Sequence, residues 1–222
     1  MSKHAFWQAL IFTVIIFSLG LILGFFLESK QSDRIYSDLR ESELNILDEQ
    51  LRQKLISDSN LSCSISKESL FLFADKIYQE ALILENLDGT GRLSNLNSIH
   101  RRYDLLRTLL FLEAGNLKSR CSDNFKIITY FYYYNSEDIG ISSKQNYFSR
   151  QVYDLKIKYP EEIILIPLAI DTGLASVDLF LKSLYIESYP AIVIDDLYVV
   201  TDNLTLKELE NLVFNNSSVY SP

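Results

Sequence analysis

From Phe6 to Leu27 the apolar pattern is broken only by Gln8, Thr13, Ser18 and two glycines. At 1.5 Å per residue, about 22 residues reach roughly 33 Å, enough to cross a hydrocarbon core of about 30 Å. A cleaved signal peptide has a shorter core and a small-residue exit. Here the bulky Phe25-Phe26-Leu27 precede Glu28, so the pattern predicts a retained anchor over residues 1–28. Ser29 to Ser57 then lacks Pro and Gly. Ile35, Leu39 and Ile46, and beside them Leu44, Leu47, Leu51 and Leu55, recur at helical steps. These positions predict a helical stalk over residues 29–60. Its heptads are few, leaving open a coiled-coil homo-oligomer, packing on its own chain, or a lone amphipathic rod.

Ser57-Asp58-Ser59-Asn60 interrupts the stalk with side chains that compete for backbone hydrogen bonds. Ser66 then fits the N-cap of a helix with Leu70, Phe73, Ala74, Ile77, Ala81 and Leu84 on one face. A turn is expected at Asp88-Gly89-Thr90-Gly91. A second helix comes next, with Leu96, Ile99, Tyr103, Leu106 and Leu110 inward, and Gly115 in place for its C-terminal cap. The prediction is an antiparallel helical hairpin over residues 61–122.

Period-3.6 patterning then gives way to β-branched and aromatic runs. Phe125 to Tyr134 and Glu162 to Ile170 read as strands buried on both faces, Pro167 marking the second as an edge or a bulge. Between them a helix is expected from Ser143 to Lys158, carrying Phe148, Val152, Leu155 and Ile157. Ala175 to Leu184 reads as another helix. Ala191 to Ile194 and Leu197 to Thr201 form a hairpin over Asp195-Asp196, and Leu206 to Phe214 closes the domain. The order is β-α-β-α-β-β-α over residues 123–215, with a tail at 216–222. The fold class is mixed, α+β to α/β, with the first two strands parallel across their crossover and the last two antiparallel.

Composition narrows the function classes. The 222 residues carry a net charge of −8, and the only basic cluster is His100-Arg101-Arg102. Phosphate backbones bind through clustered Lys and Arg, so nucleic acid is not an expected partner. Lys3 precedes the anchor, whereas Lys30 and Arg34 come after it and argue against an inside N-terminus. The short N-terminal flank and the exported character of the residues beyond the anchor outweigh them. The expectation is a single-pass membrane protein, bound to the bilayer through residues 6–27, with its N-terminus cytoplasmic and its C-terminal domain extracytoplasmic. Asn60, Asn203, Asn215 and Asn216 fit the glycosylation pattern, which arises easily in an Asn- and Ser-rich chain.

Two cysteines in an exported domain suit one disulfide. Cys63 precedes the first helix of the hairpin and Cys121 comes after the second, so a bridge would close its open base. The alternatives are two free thiols or a redox-active pair. The latter would need a thiolate stabilised by positive surroundings, and only Arg120 stands beside Cys121.

The C-terminal domain resembles the minimal four-stranded form of the thioredoxin superfamily. The resemblance rests on the aromatic strand ending in Tyr134-Asn135, the second strand running into Asp171, and Tyr189-Pro190-Ala191-Ile192-Val193-Ile194 leading into the third strand. It extends to membrane-anchored thioredoxin-like proteins with helical stalks encoded by some small archaea. It implies a cis peptide before Pro190 and an active-site loop at Ser136, Glu137, Asp138 and Gly140. That loop contains no cysteine. Thiol–disulfide exchange uses a Cys-x-x-Cys there, held by a helix N-terminus. The resemblance therefore implies a fold without its chemistry.

No other catalytic arrangement is supported. His4 and His100 stand apart from any paired nucleophile, and no cluster has metal-ligand spacing. Glu137-Asp138 read as acids favoured at a helix N-terminus rather than as a general acid–base pair. No metal or cofactor is expected. The leading expectation is a redox-inactive, protein-binding module with an unidentified protein partner. Tyr130 to Tyr134, Tyr185 and Tyr189 supply rings for contacts or for the core. The alternatives are a thiol–disulfide oxidoreductase, or partner of one, using Cys63 and Cys121, and a structural subunit of an envelope assembly acting through its stalk.

Overall fold

The computed structural model describes residues 3–58, 62–88, 96–121, 124–184, 186 and 188–214. The elements are helices α1 (Lys3–Asp58), α2 (Cys63–Asp88) and α3 (Leu96–Cys121), strand β1 (Lys126–Tyr132), helix α4 (Ile139–Lys158), strand β2 (Ile163–Ala169), helix α5 (Ala175–Leu184), strands β3 (Ala191–Ile194) and β4 (Tyr198–Val200), and helix α6 (Leu206–Phe214). The chain divides into two compact units, Met1–Arg52 and Gln53–Pro222.

The first unit is helical wherever it is described. Phe12, Ile16 and Phe17 are each 66–68% exposed, so these apolar side chains have no protein covering. Among the described residues no helix is long and apolar enough to cross a membrane. Side chains at 6, 9 and 25–27 of the expected anchor lie outside that set, and its unbroken described run extends only from Leu10 to Gly24.

The second unit is built on a four-stranded sheet ordered β2-β1-β3-β4. β1 and β2 are parallel, with Tyr130 opposite Pro167. β3 is antiparallel to β1 and to β4, with Phe131 opposite Ala191. Pro167 thus stands in an edge strand, where its missing N–H leaves no gap in the interior ladder.

Alternation along β1 divides the core. Ile128 and Tyr130 join Ile192 and Ile194 under Phe148, Val152 and Leu155 of α4 and Leu209 and Val213 of α6. Phe131, on the other face, meets Phe180 of α5 at 5.7 Å between ring centroids, and Phe180 meets Phe111 of α3 at 4.1 Å. Both sheet faces are covered, which is why β1 reads as a continuous hydrophobic run. α3 packs on β1, β2 and α5, so the hairpin helices share this core within one compact unit.

Leu70, Phe73 and Ile77 of α2 and Tyr103, Leu106 and Leu110 of α3 are buried as expected. The side chains of Leu84 and Leu96, the turn at 89–91 and the tail at 216–222 lie outside the described residues. Three expected boundaries move. α2 begins at Cys63, making Ser66 a fully buried helix residue that accepts from Arg120 Nη2 at 3.0 Å. α3 continues through Gly115 to Cys121, because Ala114 and Leu117 extend its buried stripe. α4 begins at Ile139 rather than Ser143, because Asp138 caps it.

Turn chemistry fixes the remaining connections. Asp195 and Asp196 have φ of 51° and 58°, the left-handed pair that a tight hairpin turn requires. α6 opens with a capping box: Glu208 Oε2 accepts from Thr205 N at 2.8 Å, and Glu208 N reaches Thr205 Oγ1 at 3.4 Å.

Candidate functional site

The antiparallel pairing of β1 with β3 brings two loops together at one end of the sheet. Beyond the Phe131–Ala191 pair, the chain leaves β1 through Tyr133 and approaches β3 through Tyr189 and Pro190. The Tyr189–Pro190 peptide is cis. Tyr189 meets Tyr133 edge-on at 6.2 Å and Phe131 at 6.4 Å between centroids. Burial raises the Tyr189 hydroxyl pKa, and Tyr133 adds to the shift. Pro190 is buried and Tyr189 half-buried.

The backbone donors of the β1–α4 loop are occupied by side chains. Gln145 clamps Tyr133, its Oε1 accepting from Tyr133 N at 2.8 Å and its Nε2 donating to Tyr133 O at 3.1 Å. Asp171 accepts from Tyr134 N at 2.7 Å and from Asn135 N at 2.9 Å. Across the gap, the backbone N–H and C=O of Tyr189 make no hydrogen bond among the described residues. Among the described residues the ladder therefore stops one step short: Tyr133 is satisfied by Gln145, and its positional partner Tyr189 is left open.

The expected active-site loop lies beside these residues. Glu137, Asp138 and Gly140 are exposed, and Ser136 is half-buried. Asp138 Oδ1 accepts from Gly140 N at 2.7 Å and Ile141 N at 3.1 Å, while Asp138 O accepts from Ser142 N at 2.9 Å. A helix N-terminus attracts anions through its unpaired N–H groups. Here the protein's own carboxylate takes two of them. The first turn of α4 is self-capped and offers little to a thiolate or another anion.

A polar cluster beneath this end of the sheet was not visible in the sequence. Asp104 of α3 is 1% exposed. It receives Ala169 N at 3.4 Å and Thr172 Oγ1 at 3.2 Å, and Arg107 Nη1 stands 3.5 Å away. Desolvation raises its pKa, against the pull of Arg107, Ala169 N and Thr172. Desolvation likewise raises Tyr132, with Arg107 acting in the opposite direction. Arg107 Nε is buried without a hydrogen-bond acceptor. His100, on the same helix, meets Tyr134 with rings tilted by 39° and centroids 3.9 Å apart. The available signal was the i, i+4, i+7 alignment of Asp104 with Thr108 and Phe111, which puts the acid on a buried stripe.

Cys63 and Cys121 form a disulfide with Cα atoms 5.7 Å apart. It joins the start of α2 to the end of α3, before β1 begins, whereas the Tyr133–Tyr189 loops lie past the end of β1. Arg120, beside it, donates to Ile56 O and Ser66 Oγ. No thiol remains in the chain. Among the described residues no group of His, Cys, Asp and Glu could hold a metal ion. Tyr185 and three of the glycosylation positions, Asn60, Asn215 and Asn216, lie outside the described residues, while Asn203 is exposed.

In comparisons with known proteins, the chain matches no family model, no curated protein and no solved structure.

Proposed function

We propose that the chain is a membrane-anchored, thioredoxin-like module that has lost exchange chemistry and binds an extended segment of a partner protein. The observation that carries this reading is the open backbone of Tyr189, next to Pro190 and flanked by the Tyr133 ring. An extended chain laid beside Tyr189 would complete the interrupted ladder by main-chain hydrogen bonding, as in strand addition. The β-α-β-α-β-β-α order and the strand directions support the thioredoxin-like part. The self-capped α4 and the bridged cysteines support the loss of chemistry.

Phe6 to Leu27 is the proposed anchor, supported by the exposure of Trp7, Phe12, Ile16, Phe17, Ile22 and Leu23 on a helix with no protein cover. The domain beyond it would then stand outside the membrane. Full-length protein should stay with the bilayer through alkaline extraction. Release into the supernatant would contradict the anchor.

A photo-crosslinking amino acid at Tyr189 tests the binding surface in native membranes. The same group at Val199, which is 47% exposed, serves as control. The reading expects adducts from Tyr189 at alternate residues of one partner segment, the period of an extended strand. Equal adducts from both positions would reject it.

A further inference from the structure

A concave surface lies between α2 and α4, at the other end of β1 from Tyr189. It is a groove of about 750 Å³ whose lining includes Phe71, Leu72, Tyr78, Tyr153, Ile157 and Pro160. Leu72 is 63% exposed and Ile157 59%. Tyr78 and Tyr153 stack across the two helices at 6.4 Å. Phe71 closes the floor against Phe125, edge-on at 5.9 Å.

The charges around this groove are unequally committed. Lys156 Nζ donates to Pro160 O at 2.6 Å and Ile163 O at 2.8 Å, so its ammonium is tied to backbone carbonyls. Lys67 Nζ lies about 6 Å from the rings of both Phe71 and Phe125. The three acids of the lining, Glu68, Asp75 and Glu161, are exposed. Glu68 and Glu161 make no hydrogen bond or ion pair among the described residues, and Asp75 acts on Lys156 only through its charge. Apolar surface is thus bordered by carboxylates open to an incoming cation, while both lysines are turned to the groove's own rings and carbonyls.

We infer that this groove docks a cationic amphipathic helix of a partner protein. Two helices whose exposed Leu72 and Ile157 line the same groove as the stacked Tyr78–Tyr153 pair form the shape that receives apolar side chains at i and i+4. The acidic border selects Lys or Arg on the flanks of that stripe, and it opposes an anionic lipid headgroup by like charge. The site is independent of the Tyr189 surface, and each can fail without the other.

The test uses the full chain in phosphatidylcholine nanodiscs, with a photo-crosslinking residue replacing Leu72. The probe is a fluorescent 14-residue Leu–Lys amphipathic peptide, with its Leu–Glu counterpart as control and empty nanodiscs as blank. The proposal expects Leu–Lys adducts at Leu72 and none from Leu–Glu. It also expects peptide affinity to fall at least tenfold in a Glu68→Lys, Asp75→Lys, Glu161→Lys variant with unchanged circular dichroism. A separate Leu72→Ser, Ile157→Ser variant, altering only exposed side chains, should weaken binding without reversing charge. Unchanged affinity in both variants would overturn the proposal. Adducts to a second copy, or to the chain's own C-terminal tail, would overturn it by naming a different occupant.

Discussion

Asp138 places its carboxylate on the amide of Gly140, 2.7 Å away, at the N-terminus of α4. The same oxygen reaches Ile141 N at 3.1 Å. A Cβ added at Gly140 would stand 3.1 Å from that carboxylate oxygen. The donors that would lower a thiol pKa are already in use.

Asp138→Ala removes the cap and should lower stability by about 1 kcal/mol, whereas Asp138→Asn should retain most of it. Urea unfolding midpoints check this, and an unchanged midpoint in the alanine variant would refute the capping role.

Installing Glu137→Cys with Gly140→Cys should give no exchange activity while Asp138 remains. Adding Asp138→Ala should lower the pKa of the more reactive thiol, because the N-terminal amides become available. Thiol alkylation measured against pH reads this directly. Identical pKa values with and without Asp138 would contradict it.

Breaking the Cys63–Cys121 bridge by a double Ser substitution should cost about 2–4 kcal/mol, since the bridge closes a loop of 58 residues. Because α3 packs on β1, β2 and α5, the loss should appear in one cooperative transition of the whole second unit. A separate early transition of the hairpin alone would contradict the shared core.

Asp104 supplies a pH signature. Desolvation raises its folded pKa from the ordinary Asp value, against Arg107, Ala169 N and Thr172, so the native state binds the proton more tightly than the unfolded chain. Its contribution favours folding most at acid pH and is lost as pH rises through the folded pKa. The wild type minus Asp104→Asn stability difference should therefore fall with rising pH from about 4 upward, where an unfolded Asp begins to ionise. A rising difference over that range would mean that Arg107 dominates instead.

How far these features are legible in the sequence depends on whether their causes are local. The strands at Phe125–Tyr134 and Glu162–Ile170, the helices at Ala175–Leu184 and Leu206–Phe214, and the Asp195-Asp196 turn arise from patterning and turn chemistry within a few residues. The disulfide is readable from the antiparallel geometry of two predicted helices. The start of α4 is misplaced because Glu137-Asp138 read as acids near a helix N-terminus without Asp138 being taken as the cap itself, although its spacing to Gly140 and Ile141 suits one. Ser66 misleads because Ser62, four positions earlier, takes the start of α2, receiving Ile65 N on its Oγ at 3.5 Å and Ser66 N on its carbonyl at 3.1 Å. Gly115 misleads because the buried stripe of α3 continues past it through Leu117. Asp104 stands on a stripe the spacing shows as buried, but the partners that satisfy it there, Ala169 and Thr172, are more than 60 positions away and out of reach of a local reading. Gln145 and Asp171 hold the Tyr133–Asn135 backbone for the same non-local reason.

Turnover in an insulin-reduction assay by purified full-length protein tests the central claim most directly. The account predicts a rate equal to that of the dithiol reductant alone, because no thiol is free and the α4 N-terminus is filled by Asp138. Catalysed turnover that disappears on Cys63→Ser or Cys121→Ser substitution would contradict it and make the bridged pair a redox centre.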